Sequence, residues 1–144
     1  MMKDQISAQP VIAPSHRMTF LPHMFSARHM LKGEALLYHF ARKLSADYTG
    51  GLWDFYRLSE GGYYAAPAHP ARMTISVDGN GYSGDVSADA AGIVFSLFTL
   101  GVMASRAAER NDDDGLVLFS MRYHQLLDYA HGHVERAAIM SAID

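Results

Sequence analysis

The sequence predicts an α+β domain: one small antiparallel sheet of three or four strands packed against about four helices, one of them central and buried. Three observations predict it. Gly33 to Gly51 carries Leu37, Phe40, Ala41, Leu44 and Tyr48 at helical spacing, two hairpin patterns follow between Leu52 and Val86, and the stretch after Ser87 is apolar on nearly every face.

Taken in order, residues 1 to about 15 hold Pro10 and Pro14 with little apolar patterning and read as a flexible or extended arm ahead of a single domain, residues 16–144. The opening MMKDQISAQPVIAPSHRM has no continuous apolar run of signal-peptide length, so no secretory signal is expected. In RMTFLPHMF, Pro22 removes a backbone donor and biases Leu21 toward extended backbone, which predicts an irregular or short extended segment across the core. Over Gly33–Gly51, Glu34 is expected in the first helical turn, Arg42 and Lys43 near its negative end, and Gly50-Gly51 as a left-handed cap.

LWDFYRLS predicts a strand, Glu60-Gly61-Gly62 a turn, and YYAAP the returning strand closed by Pro67. MTISV, the turn Asp78-Gly79-Asn80-Gly81 and YSGDV predict the second hairpin, because Asp-Gly and Asn-Gly both accept positive φ. Ser87 and Asp89 offer N-cap oxygens for a helix from about Ala88 to Glu109, whose middle, GIVFSLFTLGVMA, is patterned for burial on all sides. Asn111 to Gly115 breaks it. The rest continues as helix, interrupted near Gly132, with Leu116, Phe119, Tyr123, Leu126, Leu127 and Ala130 on one face.

Composition narrows the function. The chain has 144 residues and no cysteine, which removes thiolate metal sites and thiol nucleophiles and suits a cytoplasmic protein. The apolar run Ile93 to Ala104 is short of the ~20 residues that cross a bilayer, so no membrane association is expected. Twelve basic and fifteen acidic residues give a net charge of −3, with the basic ones scattered rather than clustered, so no strong DNA binding is expected. Imitation of DNA fails on magnitude: at one charge per ~1.7 Å, a domain about 40 Å long would need on the order of twenty excess acids.

Tyr48–Pro67 concentrates aromatic residues on both faces of the first hairpin, which reads either as core packing or as a surface displaying the only tryptophan, Trp53. The histidines group only as His131-Gly132-His133 and as His16, His23 and His29, without the i, i+4 pattern of a zinc helix; a partly exposed helix break explains the first group. Asp112-Asp113-Asp114 lacks the spacing of a calcium loop and suits helix capping. No nucleophile elbow or phosphate loop is present. No metal or cofactor is expected, and no sequence feature asks for an enzyme.

RMTFLPHMF and MLKGEALLYHFARKLSADYTGGLWDFYRLSEGGYYAAP resemble the KlcA/ArdB antirestriction proteins, with Y-x-G-G-x-W-x-F-Y, L-S-x-G-G-x-Y-x-x-P and the N-G-Y hairpin in the family's order. The resemblance spans about residues 15 to 143. It implies a protein of a plasmid or mobile element that lets incoming DNA escape host type I restriction-modification enzymes and is not itself an enzyme. The expected partner is the type I complex or a host factor associated with it, met by a monomer; the alternative is a DNA-binding or DNA-masking accessory module.

The motif positions with polar or amphipathic reach give the expected partner-binding residues: Arg17, Glu34 and Trp53, then Asp54, Tyr56 and Arg57 from the same strand. Arg17 and Glu34 pairing with one another is the competing structural role.

Overall fold

The computed structural model describes residues 5–144. In chain order the elements are β1 (Ala8–Pro10), α1 (Pro14–Phe25), α2 (Met30–Leu44), β2 (Trp53–Leu58), β3 (Tyr63–Pro67), β4 (Arg72–Val77), β5 (Tyr82–Ser87), α3 (Ala88–Glu109), α4 (Asp113–His131) and α5 (Arg136–Ile143). The α+β class read from the sequence holds. The strands form two antiparallel sheets, β1-β2-β3 and β4-β5.

Helix α3 is the axis, packed against α2, α4, α5 and β3. Ser87 caps it by accepting a hydrogen bond from the Ala90 N–H at 3.0 Å. At 22 residues, with a most apolar window of mean hydropathy 1.6, it is long and apolar enough to cross a membrane, further than the twelve-residue run suggests; 67% of that window is buried against the protein's own elements. Apolarity on every face is what a surrounded helix requires.

Two small side chains set how closely α3 meets the sheet. A Cβ at Gly92 would overlap Ala66 of β3. One turn on, the buried Ser96 Oγ donates to the Ala65 carbonyl and accepts from the Ala65 N–H, both at 3.2 Å. A helix side chain thereby satisfies the outer edge of β3, and β4 cannot pair there. The two hairpins therefore stay in separate sheets.

At the opposite edge, residues 8–10, expected within the arm, pair with β2 as Ala8↔Leu58, Gln9↔Arg57 and Pro10↔Tyr56. Residues 1–4 of that arm lie outside the described residues. Ser7 and Val11 turn their polar groups toward β2, bonding to Ser59 and Phe55, so by alternation Ala8 and Pro10 face outward. Pro10 has no N–H to offer a further strand, which blunts this edge.

Three local expectations are corrected. Pro14–Phe25 is a helix, not an extended segment. Pro14 opens it with φ already suited to a first turn, and Phe20, Met24 and Phe25 fall on one buried face, with Phe20 stacked on Phe55 at 4.3 Å between ring centres. Pro22 costs one hydrogen bond to Met18, but Met18 is 81% exposed, so water reaches that side of the helix.

Helix α2 begins three residues earlier than expected, which puts Glu34 in its second turn, where the dipole argument no longer applies. It also ends at Leu44 on an extended Ser45, not on the glycine pair. Gly50 and Gly51, at φ +93° and +97°, instead turn the loop that delivers Trp53 to β2. Ahead of them in the loop, Asp47 accepts from the Thr74 N–H at 2.7 Å, tying the loop to β4.

Candidate functional site

Strand β2 sorts the expected partner-binding residues by alternation: Trp53, Phe55 and Arg57 on one face, Asp54, Tyr56 and Leu58 on the other. Trp53 is interior, 5% exposed, with Tyr38 and Tyr48 edge-on at 5.6 and 5.8 Å. Its Nε1 donates to the Tyr48 hydroxyl at 3.0 Å. Of the two readings of the aromatic stretch, core packing is the one realised for Trp53, because that pairing satisfies the indole N–H without water.

Arg17 projects from α1 onto the same face. Its guanidinium donates to the carbonyls of Trp53 at 3.0 Å and Val11 at 3.3 Å, and lies 4.5 Å from the Phe55 ring centre. The fork is spent on backbone. The competing pairing with Glu34 does not occur, since none of the ion pairs among the described residues involves either side chain. Glu34 is half-buried on α2, one turn before Tyr38, whose hydroxyl is raised above its ordinary range by burial first and by the Glu34 carboxylate second.

Asp54 and Arg57 are exposed, on opposite faces of the strand. Half-buried Tyr56 stacks on Tyr64 at 4.7 Å, and Tyr64 stacks in turn on Tyr129. Arg57 lines a groove of about 320 Å³ between the β1–β2 edge and α1, with His16, Thr19, His23 and Tyr63. Arg122 closes one side, 4.9 Å from the Tyr63 ring centre and donating to the His23 carbonyl at 3.0 Å. So the fold brings Arg17 to Trp53, leaves Arg57 in a groove of mixed polar and apolar lining, and disperses Asp54, Tyr56 and Glu34.

The histidines separate similarly. His16 and His23 face that groove while His29 bonds to Asp112 at 3.1 Å, and among the described residues no His, Asp and Glu group converges as metal ligands. The helix break is partly exposed as expected, with His131 and Gly132 exposed, while the His133 side chain turns inward and is 8% exposed. Its Nε2 meets Asp89 at 2.8 Å and its Nδ1 accepts from the Glu135 N–H at 2.9 Å, so in this arrangement the proton sits on Nε2.

Tyr64 donates to the other Asp89 oxygen at 2.7 Å. Burial pushes the Asp89 carboxyl up, but the hydrogen bonds from His133 and Tyr64 outweigh it and hold the group below its usual value. Burial, then the bond to Asp89, pushes the Tyr64 hydroxyl far above its own. Nearby, Glu135 accepts from the Ser87 N–H at 2.9 Å and from the Ser87 hydroxyl. These groups lock the α4–α5 corner onto the start of α3.

Sequence reading missed a second hollow, of about 490 Å³, between the start of α2 and the end of α3. Arg28, Lys32, Arg106 and Arg110 line it over a floor that includes Met103 and Phe119. The i, i+4 spacing of Arg28 with Lys32 and of Arg106 with Arg110 was the available signal, but nothing in the sequence joins the two pairs. On the rim Asp112 caps α4, accepting from the Gly115 N–H at 3.1 Å as the acidic run suggested. That bond, helped by Arg28 and His29, holds its carboxyl low.

Residues 46–144 match the family model described as antirestriction protein. The chain is 46% identical over 142 residues to an antirestriction protein KlcA of Escherichia coli, covering 99% of this chain and 98% of the relative. It is 48% identical over 135 residues to a second Escherichia coli KlcA, covering 92% and 90%. A solved structure superposes with a TM-score of 0.85 at 44% identity over all of both chains. It comes from work on the KlcA and ArdB proteins describing a novel fold and antirestriction activity against type I DNA restriction systems in vivo but not in vitro. With more than two-thirds of its length inside the family model, and relatives matched end to end, the chain belongs to the antirestriction protein family.

Proposed function

We propose that this protein shields incoming DNA of a plasmid or mobile element from type I restriction in the cytoplasm, by binding a protein and without catalysis. The observation that carries the reading is the end-to-end match, 46% identity over 99% of the chain, to an antirestriction protein. The solved relative's activity in vivo but not in vitro supports a partner supplied by the cell: a host factor that works with the restriction complex. Near-balanced charge argues against competition with DNA, since −3 is far from a duplex-like array.

Exposed Arg57 and Asp54 are the contact residues of this reading, with half-buried Glu34 on α2 as a lesser contributor; Tyr56, Arg17 and Trp53 hold the strand that presents them. The test is plating of unmodified phage on cells with an active type I system. Arg57→Glu and Asp54→Lys abolish protection while their unfolding midpoints stay at the wild-type value. Full protection by both folded variants refutes the contact assignment, and a low-salt shift of duplex DNA by the wild-type protein refutes the protein-binding mechanism.

A further inference from the structure

From the cation-lined hollow between α2 and α3 we infer that the protein carries a docking site for an acidic polypeptide segment with an apolar residue between its carboxylates. Four of the chain's twelve Lys and Arg residues line this one hollow. Among the described residues Lys32, Arg106 and Arg110 form no ion pair, and Arg28 reaches Asp112 only at 3.9 Å. Helix ends explain part of the arrangement. Arg106 and Arg110 suit the negative end of α3, and Asp113 and Asp114 the positive end of α4.

Arg28 offsets Asp112, so Lys32 alone has no such explanation. It stands in the first turn of α2, where the dipole disfavours positive charge and where no first-turn acid compensates. Its charge, with those of the unpaired Arg106 and Arg110, is left for a ligand. Guanidinium forks donate two parallel hydrogen bonds to a carboxylate, while the floor of Met103 and Phe119 takes an apolar side chain. A hollow of about 490 Å³ holds one or two side chains, not a duplex.

The site's cellular role rests on the protein-contact reading above; the binding itself does not. The experiment titrates ¹⁵N-labelled full-length protein with an acetylated decapeptide of Glu and Asp bearing a central Phe. A matched Gln/Asn peptide and inorganic phosphate serve as the other arms. The acidic peptide is expected to shift amides around Arg28–Lys32 and Arg106–Asp112, to weaken with added salt, and to lose at least tenfold in affinity in Lys32→Glu and in Arg106→Gln. No shift at the hollow, equal binding of the Gln/Asn peptide, or phosphate shifts that the peptide does not exceed would each overturn the site.

In cells, folded Lys32→Glu losing protection supports the role, and full protection overturns it while leaving the antirestriction reading intact. Absence of protection by the wild-type chain removes that reading alone, and the titration still decides the hollow.

Discussion

Arg17 and the Trp53 carbonyl, 36 positions apart, are joined by a 3.0 Å hydrogen bond that pins α1 to the middle sheet strand. The same guanidinium holds the Val11 carbonyl and covers Phe55, so one side chain closes β1, β2 and α1 together. Arg17→Ala is expected to lower unfolding stability by about 2 kcal/mol, as hydrogen bonds from a charged donor contribute roughly 1.5–3 kcal/mol. Arg17→Lys recovers less than half, because an ammonium has no planar fork to span both carbonyls. Urea unfolding measures both.

The indole is sealed, so its fluorescence is a direct probe. Native protein should emit at short wavelength and resist acrylamide quenching. Trp53→Phe leaves the buried Tyr48 hydroxyl without its donor and is expected to cost about 1–3 kcal/mol from that loss. A native emission matching free tryptophan would contradict the burial.

Asn80 does more than turn a hairpin. Its side-chain amide donates to the carbonyls of Ser141, Ala142 and Asp144 at 3.2, 2.9 and 2.7 Å, capping the last turn of α5. Asn80→Ala is expected to cost about 1–2 kcal/mol and to speed hydrogen exchange selectively in residues 139–143. Asn80→Asp should be worse, since a carboxylate faces carbonyl oxygens with no proton to give.

Acid sensitivity follows from Asp89. Its folded pKa lies below the unfolded value, so its contribution is fully present above the unfolded carboxylate range and is lost as pH falls through the lower folded one. Asp89→Asn is expected to flatten the acid limb of stability against pH below about 4 relative to wild type. A limb of unchanged slope in chemical unfolding would show that other carboxylates govern it.

Much of the fold was legible because its signals are local. The span of α3 from Ala88 to Glu109, its Ser87 cap, the Asp112 cap and the glycine-rich hairpin turns all follow from side chains acting within a few residues of their own backbone. The family resemblance was equally visible in the sequence, since its motifs are short and contiguous.

Tertiary structure decided what depends on distant neighbours. It buried Trp53 by bringing Tyr48 and Tyr38 to it, made a helix of Pro14–Phe25 by giving Phe20 a ring to stack on, and split the hairpins by letting Ser96 occupy the edge of β3. It also gathered Arg28, Lys32, Arg106 and Arg110, scattered along the sequence, into one hollow. Periodicity says which face of an element is apolar, whereas the partner of that face, and whether a polar group beside it meets water or protein, is set by chain segments brought together only on folding.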